Sequence, residues 1–270
     1  MVEILKILAP ALLGIIGGVL SGWFTQRSGY AIKQKEKENE ERDKLKLQYL
    51  DPLRVATQDL RDRLIEIRER QNQKDPILQT GLQQLISNKT GNAANDLPYK
   101  YIWQNKGDYA EWANGIGCFS LSTLRTTALY FYQASKILQE LPYVKLSSGD
   151  DVELRKHLIN VRSALGGSYG IWNELQDSIG EYLLKENGKL RNYREFCYEI
   201  IDDVNYFWFY RPIRFFADFH LKSSNEVDEM IQSLDTLDRF LSNQTPHENQ
   251  SKPNIRFRSL TNHRVHRTAS

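Results

Sequence analysis

The sequence predicts an all-α chain in four parts: a transmembrane anchor at 1–26, a polar juxtamembrane helix at 27–48, a helical body at 49–243 and a disordered basic tail at 244–270. Three observations carry this. Residues 7–24 contain no charge. Downstream, apolar residues recur at three- and four-residue spacing, the period of one helix face. No segment of the sequence alternates apolar and polar residues between hairpin turns, as a half-buried strand would.

The uncharged run, ILAPALLGIIGGVLSGWF, is about 27 Å long as a helix, against about 30 Å for a hydrocarbon core. Lys6 at one edge can reach the headgroups, and Trp23 at the other sits where interfacial aromatics belong. Pro10 falls in the first turn, where its missing N–H does least harm. A cleavable signal peptide would need small residues after the run. Trp23 and Phe24 stand there instead, and Ala9 and Ala11 come too early. Only Lys6 precedes the run, whereas Arg27, Lys33, Lys35 and Lys37 follow it closely. Because basic residues stay on the cytoplasmic side, the amino terminus is expected outside and the body in the cytoplasm of a single-pass protein.

Inside that run Gly14, Gly18 and Gly22 repeat every four residues. An interior glycine costs a soluble helix about 0.8–1 kcal/mol relative to alanine. In lipid the same spacing makes a smooth face on which two helix backbones approach closely. The sequence therefore predicts self-association through the span, with membrane lipid and a second copy as partners.

Residues 31–46, AIKQKEKENEERDKLK, favour helix but have little to bury. Glu38 with Arg42 and Glu40 with Lys44 are i,i+4 pairs of a few tenths of a kcal/mol each, so a solvated helix is expected. Leu50, Leu53, Thr57, Leu60, Leu64 and Ile67 then form a seam with alternating spacings of three and four. It is shorter than a coiled coil requires and is expected to pack into the body, with Pro52 starting a new helix.

Residues 88–115 lack periodicity and read as a long loop with one short element near 99–103. Helical patterns follow at 120–141, ending at Pro142, and from Asp150 or Asp151 to the stop at Gly166-Gly167. Others fit 172–185, 193–211, 213–221 and 225–242. The stretches YLDPLRVATQDLRDRLIEIRER at 49–70 and STLRTTALYFYQASKILQELPYVKL at 122–146 resemble a set of uncharacterised bacterial proteins. The resemblance implies an amino-terminal anchor with a cytoplasmic helical body, and no activity or catalytic residue.

Catalytic signatures are missing from the sequence. The five histidines form no HExxH or ExxH pair, and no CxxC or phosphate-binding glycine loop occurs; Gly166-Gly167-Ser168-Tyr169-Gly170 is glycine-rich but follows a predicted helix, not a strand, and reads as a helix stop. Asp150-Asp151 and Asp202-Asp203 are adjacent in sequence, which on a helix points them about 100° apart. Cys118 and Cys197 have no spacing partner and read as reduced, buried thiols. No cofactor or metal is predicted. The tail carries Lys252, Arg256, Arg258, Arg264 and Arg267 against Glu248, a modest field that makes nucleic acid an unfavoured partner.

One stretch stands apart. In YFWFYRPIRFFADFH, 206–220, eight of fifteen residues are aromatic. An aromatic run with no polar face favours a proline-kinked core helix. The competing reading makes Trp208, Arg211 and Arg214 an interfacial or anion-binding group, with arginines on phosphate or carboxylate. Taken together, the expectation is a membrane-anchored helical protein acting by binding or assembly, as a scaffold, sensor or complex subunit. The alternatives are a self-associating membrane effector or pore-like component built on the glycine face, and an enzyme whose site carries no sequence signature.

Overall fold

The computed structural model describes residues 2–73, 81–83, 85–86, 106–144, 146, 149–167 and 170–244; within them, the side chains of 2–32, 42, 106, 140–144 and 203–204 lie outside the description. The chain is predominantly helical, and no strand forms among the described residues.

Helix α1 runs from Val2 to Asn72, 71 residues, without a break. The expected new helix at Pro52 does not occur. A proline inside a helix removes one N–H, here the one that would reach the carbonyl of Gln48, which is exposed and open to water. Leu50 and Leu53, both fully buried, hold the backbone on either side. The whole seam from Leu50 to Ile67 is buried, and Thr57 within it donates to the Leu53 carbonyl at 2.7 Å. Upstream, residues 33–41 are all exposed, as a solvated helix should be. Lys37 pairs with Glu41 there at 4.0 Å. Of the pairs expected, Glu38–Arg42 falls on a side chain outside the description, and Glu40–Lys44 is not among the ion pairs of the described residues.

Among the described residues no helix is long and apolar enough to cross a membrane. The uncharged run 7–24, with Gly14, Gly18 and Gly22, belongs to the part of α1 whose side chains lie outside the description.

Helical residues 81–83 and 85–86 bury Leu82, Leu85 and Ile86. Helix α2, Lys106–Asn114, lies in the expected loop. Two anchors four residues apart, buried Tyr109 and Ala113, suffice to fix it against the core. The element expected near 99–103 lies outside the described residues, as does the tail from 245 on. Helix α3, Cys118–Val144, continues past Pro142, and α4, Asp150–Gly166, stops at the glycine pair as expected.

Helix α5, Asn173–Glu181, is shorter than its pattern. The chain then turns through Gly188, whose φ of 73° suits glycine, into an isolated antiparallel bridge between Leu184 and Leu190. Helix α6, Tyr193–Ile200, opens on a capping box: Asn192 accepts from the Glu195 N–H, and Glu195 accepts from the Asn192 N–H, both at 2.9 Å.

Helix α7 spans Asp203–Ala217. The sequence placed a helix break near Pro212, yet the break falls at 201–202 and Pro212 lies inside α7. Acidic residues favour a helix start, and Tyr206 N–H donates to the Asp202 carbonyl at 2.8 Å to begin the new helix. Pro212 itself is buried, and the carbonyl its ring deprives is that of half-exposed Trp208. A 3₁₀ turn η1, Phe219–Leu221, leads into α8, Ser224–Gln244.

The second half of α1 packs against α3 and α8. Both run antiparallel to it. Along α3, the Phe119 ring meets Arg63 and Arg70 while Lys136 lies over Tyr49. Along α8, Asp228 meets Arg68 and Asp238 meets Arg61. Helix α4 covers α8, with His157 5.2 Å from Phe240, and α5 lies on α3. Helices α6 and α7 close the side beside α5, through Phe209 against Tyr182 and Phe196. One continuous apolar core joins them all.

Candidate binding corner at helix α7

Helix α7 sorts its aromatics by face. Tyr206, Phe209, Ile213 and Phe216, spaced three, four and three apart, are buried. Phe207, Trp208 and Tyr210 point outward, 56%, 50% and 40% exposed. The core reading of 206–220 therefore holds for one face and fails for the other. A large, partly exposed aromatic cluster on a helix that also carries arginines is the body's most chemically distinctive surface.

Two of the cations on this surface lie over rings. The Arg211 guanidinium lies 4.6 Å from the Trp172 ring centroid, and Lys222 Nζ lies 4.6 Å from that of Phe215. Arg214 reaches Asp218 at 3.0 Å, one turn on. Arg211 and Arg214, three residues apart, open on the same cavity of about 610 Å³ between α7, η1 and the start of α8. Tyr210, Phe215, Asp218, Leu221, Lys222 and Glu226 complete its lining. Trp208 does not line it and faces solvent beside it. Glu226 Oε2 accepts from the Ser223 N–H and hydroxyl, both at 2.9 Å. Those bonds, the backbone one first, hold its carboxyl below the usual range, aided by nearby Lys222.

Sequence reasoning found Arg211, Arg214 and Trp208 but missed Lys222, Tyr210, Leu221 and Trp172. Trp172 was read as the first residue of a helix; it stands before α5 in extended backbone, 58% exposed. Its meeting with Arg211 has no periodic signal in the chain.

No group of His, Cys, Asp or Glu suited to a metal ion occurs among the described residues. His157 lies 3.5 Å from Glu153, and His220 contacts the Ala217 carbonyl. Both cysteines are free, Cys197 buried and Cys118 half-buried. Tyr109 donates to the Cys197 carbonyl at 2.5 Å, beside a smaller cavity that Cys197 and Tyr193 also line. Burial pushes the Cys197 thiol up to about 11, so it remains protonated. Asp150 and Asp151 start α4 and Asp202 precedes α7, which gives these acids helix-start positions.

No family model matches the chain, and no curated protein or solved structure matches it either.

Proposed function

We propose that this protein is a membrane-tethered binding module: a single-pass span at the amino terminus, a solvated helical stalk, and a helical body that acts by binding at the cytoplasmic face. The observation that supports this most is the continuity of α1. The helix that begins with the uncharged run ends as a wall of the buried core, so any anchor would be coupled to the body without a hinge. The exposed Phe207, Trp208 and Tyr210, beside Arg211 and Arg214, give the body a surface suited to binding. Association of copies through Gly14, Gly18 and Gly22 belongs to the same reading.

The test is fractionation of the full chain and of a chain lacking residues 1–26. Alkaline carbonate should leave the first in the membrane pellet and release the second. A carboxy-terminal tag should be digested in inside-out vesicles and protected in intact spheroplasts. Carbonate release of the full chain would refute the anchor, and the opposite protease pattern would refute the orientation.

A further inference from the structure

We propose that the cavity between α7, η1 and α8 binds a small phosphate-bearing ligand with an aromatic body, of the nucleotide class. The inference rests on the reading of this corner as the working surface of the body. Its volume, about 610 Å³, falls in the range of small-molecule sites. Its charges are unequally committed. Asp218 is engaged by Arg214, while Glu226 accepts from Ser223 and keeps its negative charge near Lys222. Arg211 and Lys222 form no ion pair among the described residues; each lies over a ring instead. The lining thus carries Arg211, Arg214 and Lys222 against Asp218 and Glu226, a surplus of one positive charge, and the planar guanidinium of Arg211 suits a phosphate fork.

The rings supply the other half of the ligand. Tyr210, 40% exposed at the rim, offers a face on which an aromatic base stacks, and Leu221, 74% exposed, offers an apolar edge. A lipid headgroup carries the same phosphate chemistry, but the position of the corner favours a free ligand. Because α8 is antiparallel to α1, with Asp228 at Arg68, its start lies at the end of the body farthest from the uncharged run. Phe24 and Arg68 are about 66 Å apart along a helix of this pitch.

The experiment uses the full chain in phosphatidylcholine nanodiscs, with N-methylanthraniloyl-ATP as the probe and fluorescence anisotropy as the readout. Saturable binding is expected, displaced by unlabelled ATP and, more weakly, by inorganic pyrophosphate. Exchanging Arg211→Gln and Lys222→Gln together should weaken it at least about tenfold. The exposed Tyr210→Ala variant should weaken the nucleotide while sparing pyrophosphate, and it covers the case in which the double variant fails to keep its circular-dichroism melt. Three results would overturn the proposal: no saturable binding, equal affinity in the double variant, or binding seen only when phosphatidylglycerol nanodiscs bind the body directly. A chain that binds no nucleotide but still resists carbonate extraction would defeat this inference and leave the tether standing.

Discussion

Gly180 of α5 lies against the backbone of Tyr132 on α3 so closely that a β-carbon there would come within 2.6 Å of the Tyr132 nitrogen. Backbone cannot move aside as a flexible side chain can. Gly180→Ala should therefore push α5 off α3 and lower stability by about 1–3 kcal/mol, the scale of overpacking. Chemical denaturation with an unchanged m-value checks it. A melt matching the parent would show that α5 shifts freely.

Asp238 holds two partners at the α1–α8 seam: Arg61 at 2.8 Å and Gln58 at 2.9 Å. Asp62 holds Arg61 from the solvent side at 2.9 Å, with 66% of its own side chain exposed. Truncating the buried acceptor leaves Gln58 and part of Arg61 unsatisfied. Asp238→Ala should cost about 1–3 kcal/mol and Asp62→Ala less than about 1 kcal/mol. Equal losses from the two would mean that burial does not govern this ion cluster.

The Lys185 ammonium and the Asn192 N–H keep the Glu195 carboxyl below the usual range. A depressed folded-state pKa contributes stability above the ordinary carboxylate value, about 4.3, and loses it as pH falls through the folded value. Helix α6 should therefore loosen under acid. Glu195→Gln should flatten the stability-versus-pH curve below about pH 4.3, and a curve of unchanged slope would remove Glu195 as a contributor.

Cys197 behaves in the opposite sense. Its folded-state value of about 11 stands above the ordinary 9.0, so its contribution is present below 9.0 and is lost as pH rises through 11. In native protein at pH 8 iodoacetamide should modify it far more slowly than in denatured protein, by mass spectrometry. Equal rates would show that the core opens there.

If the glycine face packs spans together, isoleucine at Gly14, Gly18 and Gly22 should abolish detergent-stable oligomers without preventing insertion. Cross-linking in membranes reads this directly. Persistent oligomers would move association to another surface.

How much of this was visible in the chain depends on range. The seam from Leu50 to Ile67 was legible because one helix face buries it and the spacing records that face. So was the glycine stop after α4. Pro52, Pro142 and Pro212 misled, because proline's local penalty is written in sequence, yet all three lie inside continuous helices. Leu50 and Leu53 secure the first of these from the core side. Helix α2 escaped notice because its support comes from distant partners, such as Tyr193 bonding the Ala113 carbonyl at 3.2 Å. At the corner, Arg211 and Arg214 flank Pro212 within one short aromatic stretch and could be paired from the sequence. Trp172 and Lys222 reach it only because α5, η1 and α8 fold around α7.

An uninterrupted α1 also behaves as an axle. Each residue added to a helix turns everything beyond it by about 100° and advances it about 1.5 Å. One alanine inserted in the solvated stretch 33–41 would swing the aromatic corner to a new compass bearing relative to the amino-terminal segment, and seven would return it almost to the start. Direction, as well as distance, is thus built into the length of this one helix.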